Sequence, residues 1–139
     1  MGLTYAEIEL ISSDDLALCR RGYLKEEEVR RTKVTMLADC GSYMLAVNEH
    51  VKVQLGLPVL DQQEAQLADG SHVMLDVAGP VDVRFANRAT TVRAMVLPGA
   101  AEMLLGCIPM EDMDVLIDPK SQQLIVNPAN PYVAKKHLK

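Results

Sequence analysis

Several kinds of residue and pattern are scarce in this chain, and each scarcity excludes a class of function. The 139 residues include no tryptophan and one phenylalanine, so the eight methionines and the aliphatic side chains must build the core. No apolar run approaches the length of a membrane-spanning helix. No C-x-x-C or H-x-x-x-H spacing indicates a metal site, and His50, His72 and His137 read as surface histidines. We therefore expect no cofactor, no metal and no membrane partner.

Basic residues are outnumbered by acidic ones, 14 against 19, which gives a formal net charge of -5. Binding to a phosphate backbone requires a basic face, so we expect no nucleic acid partner.

The three cysteines are an odd number without paired spacing, and the first residues lack the basic start and apolar core of a signal peptide. These features predict reduced thiols and a cytoplasmic location. The length predicts one domain over residues 1–139, of a size at which self-association often buries further surface.

The hydrophobic pattern alternates with a period of two along most of the chain, which predicts an all-β fold with one or two short helices. The predicted strands cover residues 4–11, 29–38, 63–68, 72–78, 81–85, 90–97, 115–118 and 123–126. Residues 12–21 fit either a two-turn helix or an irregular excursion, and residues 109–113 fit a helical turn. Asn48 as N-cap and Gly56 with Pro58 as terminators predict a short helix between them. Residues 128–139 are expected to form an extended or mobile tail.

The most informative stretch is Asp39-Cys40-Gly41-Ser42, which lies between two apolar runs. A lone ionised carboxylate in apolar surroundings costs several kcal/mol unless it is paired, hydrogen-bonded or protonated. A functional acid is therefore one reading of Asp39. The other reading is a plain turn, because acid-x-Gly-Ser tetrapeptides are common in turns.

The order of motifs along the chain resembles the retroviral-type (retropepsin-like) aspartic proteases, in particular their small bacterial and archaeal single-domain relatives in clan AA. The resemblance spans about residues 29–128. It consists of a strand entering the Asp39 motif, a short helix closing at Gly56, a hairpin with Asp69-Gly70 at its turn, and Leu104-Leu105-Gly106. The implied fold is a closed, dimeric acid-protease barrel. One residue departs from the family pattern, because Cys40 stands where Thr or Ser is usual.

The resemblance implies that the chain is an aspartic endopeptidase acting on a peptide or protein substrate. That chemistry needs two carboxylates, one taking a proton from water while the other, protonated, polarises the carbonyl. Asp39 is the one suitable acid in the chain, so a symmetric homodimer would supply the second as the same residue of another copy.

The family pattern also assigns roles to the surrounding residues. Cys40, Gly41 and Ser42 would support the active loop, with the Gly41 amide bonding the carboxylates and the Ser42 hydroxyl donating to Asp39. A flap over the substrate would be formed by Ala68, Asp69, Gly70 and Ser71. Leu105 and Gly106 would pack beneath the active loop. Because a thiol at Cys40 is a weaker hydrogen-bonding group than a hydroxyl, the alternative is a same-fold dimer that binds peptides with little or no cleavage.

Overall fold

The computed structural model of the chain describes residues 2–136 and 138, and most of its regular structure is β-strand. Within that part of the chain there are nine strands: β1 Thr4–Ser12, β2 Arg31–Ala38, β3 Leu45–Asn48, β4 Val59–Gln66, β5 His72–Phe85, β6 Arg88–Leu97, β7 Leu104–Leu105, β8 Val115–Asp118 and β9 Gln123–Val126. The predominance of strands confirms the prediction made from the period-two alternation.

Seven of these strands form one sheet in the order β1-β2-β7-β3-β6-β5-β4, and β8 with β9 forms a separate hairpin. β1 pairs antiparallel with β2 along one edge and with β5 along the other. The side chains that point inward are aliphatic, and the largest of those that are fully buried are Ile8, Leu10, Ile11, Met36, Leu45, Leu55, Leu105, Met113, Val47, Val77, Val81 and Val83. The core is therefore built mainly from apolar positions of the strands, to which the helices add Leu55 and Met113.

Three short α-helices interrupt the strands in the described residues, one more than the upper number expected: α1 Ser13–Arg20, α2 Glu49–Leu55 and α3 Cys107–Met113. Residues 26–28 form a 3₁₀ turn. α2 has the predicted caps, because the Asn48 side chain accepts from Val51 N–H at 3.0 Å and Gly56 takes the left-handed conformation (φ 63°). α3 begins before the predicted turn at 109, and Pro109 fits within its first turn because amide groups there need no helical acceptor.

The open choice for residues 12–21 is resolved as a helix, which an ion pair between the buried Asp15 and the half-exposed Arg30 ties to the chain before β2. Ser12 caps α1 by accepting from Asp15 N–H at 3.2 Å. The Asp15 carboxylate, in a residue that is 4% exposed, accepts from the Arg30 side chain through Nε at 2.8 Å and Nη2 at 3.0 Å. These bonds hold the pKa of Asp15 below its usual range, the side-chain bond to Arg30 having the largest effect and burial opposing it. The partner lies in the segment before β2, so local sequence gave no sign of it.

Gly79-Pro80 was expected to interrupt the strand pattern, but β5 continues through it. The pairing of β5 with β6 shifts register between Ala78 and Val81, which accommodates the dipeptide as an irregularity within one long strand. Val77 and Val83, on either side, are both fully buried. Burial of apolar side chains before and after the dipeptide thus keeps the strand in the core.

The described residues after β9, 127–136 and 138, form no helix or strand, and the Asp114 side chain binds several of them. Asp114 accepts from Asn127 Nδ2 at 3.0 Å, Asn130 Nδ2 at 2.8 Å and the backbone N–H of Lys135 at 3.0 Å.

His50 and His72 are exposed, whereas His137 lies outside the described residues. None of the helices in the described ranges combines the length and the apolar character that crossing a membrane requires.

Candidate active site

The Asp39 loop is a tight turn at the end of β2. Asp39 N–H donates to the carbonyl of Leu105 at 3.0 Å, which anchors the start of the loop, and Ser42 N–H donates to the Asp39 carbonyl at 3.1 Å, which closes the turn. Gly41 N–H donates to Asp39 Oδ1 at 2.9 Å. The carboxylate is therefore held in one orientation by the backbone of its own loop.

The two apolar runs suggested that the Asp39 carboxylate would be buried, but the loop that carries it is largely exposed. In a single copy of the chain Asp39 is half-buried, and Cys40 and Gly41 are exposed. The flanking apolar residues Ala38 and Leu45 are buried instead. The apolar runs thus serve the core, and the loop between them projects to a surface. The Ser42 hydroxyl donates a hydrogen bond to the Met44 carbonyl oxygen at 3.4 Å. In one copy it therefore bonds the backbone and not Asp39.

The β7 strand supports the Asp39 loop from below. It lies between β2 and β3, parallel to the first and antiparallel to the second. Leu105 is fully buried there. The first residues of α3 then bond the loop, since Cys107 N–H donates to the Ser42 carbonyl at 2.7 Å and Ile108 N–H to the Tyr43 carbonyl at 3.0 Å. The structure thus brings Leu105 and its neighbours directly beneath the Asp39 loop.

Gly106 is the point of closest approach between these segments. A Cβ placed on Gly106 would overlap the carbonyl oxygen of Met44 and lie 2.9 Å from its carbonyl carbon and its nitrogen. The backbone angles of Gly106 (φ -87°, ψ -174°) are ordinary, so glycine is required here for space. The sequence predicted packing at this position, and the structure supplies the reason for glycine.

The predicted hairpin is formed by β4 and β5 with a turn over Leu67 to Ser71. Gly70 N–H donates to the Leu67 carbonyl at 2.9 Å, and Leu67 N–H donates to the Ser71 carbonyl at 2.8 Å. Gly70 has a positive φ of 88°, which glycine adopts without strain. The Asp69 carboxylate accepts from the hydroxyl (2.6 Å) and the N–H (2.9 Å) of Ser71, and these bonds hold the pKa of Asp69 below its usual range. Asp69 therefore stabilises the turn, while Ala68 occupies its exposed tip.

The Asp39 loop and the hairpin face each other across a cleft of about 390 Å³. Gly41 and Ser42 line it on the loop side and Leu67 on the hairpin side. Apolar residues form most of the floor and walls: Met44, Ala46, Ala65, Leu75, Met95, Leu97 and Leu104. A second cavity of about 570 Å³ adjoins the other side of the loop, where Asp39, Cys40 and Gly41 line it together with the apolar residues Leu3, Leu37 and Ile117. The loop thus separates two open, largely apolar spaces.

A solved structure with a similar fold is the retroviral protease-like domain of Ddi1 from Leishmania major, which matches with a TM-score of 0.54. The match covers 91% of this chain and 91% of that chain, at 14% sequence identity. This chain has a retropepsin-like fold. No model of a protein family matches the sequence, and a search of curated proteins finds no relative. The likeness is one of fold, on which different functions occur, so the retropepsin-like fold alone assigns no activity.

The described residues that line the two cavities include no second carboxylate that pairs with Asp39. Among the described residues that line the two cavities, the other acid is Glu64 on β4. Its Oε1 lies 3.4 Å from Nδ1 of the exposed His72 on the same hairpin. Within residues 2–136 and 138 no group of three or more His, Cys, Asp or Glu side chains is arranged to hold a metal ion. One copy of the retropepsin-like chain thus presents one oriented carboxylate between two cavities.

One neighbour of the loop was not foreseen from the sequence. Cys107, in the first turn of α3, lies half-buried beside the loop, and its Sγ donates to Glu111 Oε1 at 3.1 Å. The hydrogen bond to Glu111, burial and the proximity of Cys40 together raise the pKa of the Cys107 thiol. Cys40 and Cys107 are far apart in sequence, so no local pattern indicated that the fold brings them together.

Proposed function

We propose that this chain is an aspartic endopeptidase that works as a symmetric homodimer, with the Asp39 carboxylates of two copies forming the catalytic pair. The observation that supports this most is the Asp39 loop itself. In a retropepsin-like fold, it holds one oriented carboxylate at the end of β2, and the loop lines a cleft whose other side is formed by the β4–β5 hairpin. A two-fold axis beside the loop would bring two identical carboxylates together, as an isologous interface does.

In this mechanism one carboxylate accepts a proton from a water molecule as its oxygen attacks the carbonyl carbon of the peptide bond. The other carboxyl group, protonated, donates a hydrogen bond and then its proton to the carbonyl oxygen. The tetrahedral intermediate collapses when a proton reaches the amide nitrogen and the amine leaves. Residues 67–71 act as the flap that covers the bound peptide and excludes water.

The remaining parts of the proposal concern architecture. The pairing of β1 with both β2 and β5 supports a closed barrel. The cavity lined by Cys40 and Leu3 is the side on which we place the second copy, because an apolar face beside the loop would be covered there. We further propose that residues 1–139 form a single retropepsin-like domain, with its core at about 29–128, related to the small prokaryotic enzymes and acting in the cytoplasm.

Asp39→Asn tests the chemistry, because asparagine keeps the shape of the side chain and cannot serve as base or acid. We expect cleavage of a peptide library by the wild type and a loss of at least about a hundredfold in the variant, the scale of a general acid–base contribution. Asp14→Asn, a change of an exposed acid in α1, is the matched control and should cleave as the wild type does. Equal cleavage by Asp39→Asn would assign the activity to another protein in the sample.

Sedimentation at micromolar concentration tests the homodimer, and a chain with no tendency to associate would contradict the proposal. Cys40→Thr compared with Cys40→Ala tests the loop contact at the axis. If hydroxyl groups lock the two loops, Thr should tighten the dimer by about 1 kcal/mol relative to Cys, since a neutral hydrogen bond contributes roughly 0.5–1.5 kcal/mol. A wild type that dimerises and binds peptides without cleaving them at acidic or neutral pH would favour the alternative function, a same-fold dimer that binds peptides with little or no cleavage.

A further inference from the structure

A smaller cavity of about 310 Å³ adjoins the cleft between the Asp39 loop and the hairpin. Three residues line both spaces: Tyr43, Met44 and Gln63. The other residues that line this side cavity are Leu45, Val92, Arg93, Ile108 and Pro109. A peptide that lies in the cleft therefore meets the side cavity at the three shared residues.

Arg93 is the one charged side chain among the described residues that line the side cavity. It is exposed, and it forms no salt bridge with any described residue. Three acids on β4 and α3 have partners of their own: Glu64 with His72, Glu111 with Cys107 and Asp112 with Lys136. The guanidinium of Arg93 is thus available to an anionic group that enters the side cavity.

The β6 strand aligns Arg93 with the wall of the cleft. Side chains at every second position of a strand point to the same face, at a spacing of about 7 Å. Ala94 and Val96 are buried in the core, so Arg93 shares the opposite face with Met95 and Leu97, which line the cleft. An extended peptide has the same two-residue repeat. A peptide side chain that reaches Arg93 is therefore two positions from one that contacts Met95.

We propose that Arg93 determines specificity by favouring extended peptides that carry an aspartate or glutamate two positions from an apolar residue. The apolar side chain contacts Met95 in the cleft, and the carboxylate accepts hydrogen bonds from the Arg93 guanidinium in the side cavity. This inference rests on the proposed function, because it names the substrate class of the same cleft. Since Arg93 is exposed, its contact resembles a surface ion pair and raises affinity by up to about fivefold.

Binding of matched peptides tests the inference. Three pools of short capped peptides share one apolar residue and carry Glu, Gln or Lys two positions from it on either side. Fluorescence anisotropy gives the Kd of each pool for the full chain with Asp39→Asn, which keeps the peptides intact, at about pH 6.5, where glutamate is ionised. We expect the Glu pool to bind about twofold to fivefold more tightly than the Gln pool, and the Lys pool to bind most weakly. Equal affinities for the Glu and Gln pools, or no binding at all, would overturn the inference.

Reversal of the charge at position 93 identifies the residue responsible. Arg93→Glu, combined with Asp39→Asn, should bind the Lys pool most tightly and the Glu pool most weakly, a reversal that poor folding cannot produce. Arg84→Glu in the same background is the matched control, because Arg84 is exposed on β5 and lines a different cavity. It should keep the preference for the Glu pool. A variant at 93 that still prefers Glu, or a variant at 84 that loses this preference, would refute the role of Arg93.

Cleavage of the same pools by the wild type separates this inference from the proposed function. We expect the kcat/KM of the Glu pool to exceed that of the Gln pool by the same factor as the affinities. Cleavage of all three pools at equal rates would support the endopeptidase and overturn the specificity. A preference for Glu in binding, with no cleavage of any pool, would support the role of Arg93 and contradict the endopeptidase.

Discussion

Replacing Gly106 by alanine is the sharpest test of how the Asp39 loop is supported. The added methyl group would overlap the Met44 carbonyl oxygen and lie 2.9 Å from two further backbone atoms of the same residue. Backbone cannot rotate away as a long side chain can, so the strand or the loop must move. Overpacking of this kind costs about 1–3 kcal/mol, and contact with backbone places the expected loss near 3 kcal/mol.

Unfolding in urea measures this loss. With a typical slope of about 1–3 kcal/mol per molar, a loss of 3 kcal/mol lowers the midpoint by about 1–3 M. Gly99→Ala is the matched control: an added Cβ there meets nothing within 4 Å, so only its positive φ of 60° opposes alanine. That conformation costs alanine roughly 1–2 kcal/mol. A midpoint for Gly106→Ala at or above that of Gly99→Ala would refute the close-approach argument.

Three further changes probe the ion pair, the helix cap and the chain after β9. Asp15→Asn should destabilise the fold by about 2 kcal/mol in urea unfolding, because it removes the buried, hydrogen-bonded charge of an ion pair whose Arg30 partner is half exposed and can be solvated. Asn48→Ala should cost about 1–2 kcal/mol, because it removes both the cap of α2 and a 3.1 Å bond to the Ala101 carbonyl, whereas Asn48→Asp should lose less by keeping the cap. The pKa of Asp114 is lowered from 3.8 to about 2, chiefly by Asn127, so its contribution is present above pH 3.8 and lost as the pH falls towards 2. Thermal unfolding of Asp114→Asn beside the wild type should show a difference that shrinks over that range.

Each of these has an outcome that would contradict it. Asp15→Asn unfolding at the wild-type urea concentration would mean that the Arg30 contact contributes nothing to stability. Equal losses for Asn48→Ala and Asn48→Asp would show that the cap is unimportant beside the bond to Ala101. A constant difference between Asp114→Asn and the wild type from pH 5 to pH 2 would mean that Asp114 does not titrate with the shift described.

Local chemistry explains the elements that the sequence predicted well. Asn48 and Gly56 define α2 because a side-chain cap and a left-handed residue act within a few positions of the helix they bound. The hairpins at Asp69-Gly70 and between β8 and β9 likewise depend on local signals: turn residues flanked by segments in which apolar and polar residues alternate. The predicted bounds of β8 and β9, residues 115–118 and 123–126, agree with the structure.

Long-range pairing explains what the sequence could not predict. Residues 12–21 were ambiguous because the Arg30 that fixes Asp15 is outside the segment. The place of β7 between β2 and β3 follows from contacts between distant residues, such as Leu37 with Leu104, that leave no periodic signal. The nearness of Cys107 to Cys40 has the same origin. The Asp39 motif could be recognised in the sequence. The cleft beside it could not be predicted, because its walls depend on where the hairpin lies relative to the loop.

The insertion of β7 between β2 and β3 has a consequence for the newly made chain. Asp39 leaves the ribosome early, yet the Leu105 carbonyl that anchors its amide is made only after most of the domain. At synthesis rates of about 5–20 residues per second, the loop waits several seconds for its support. A nascent chain or a fragment that stops before Leu104 carries the Asp-Cys-Gly-Ser motif without the strand that shapes it. The Asp39 loop can therefore take its final shape only after the chain has been made as far as Leu105.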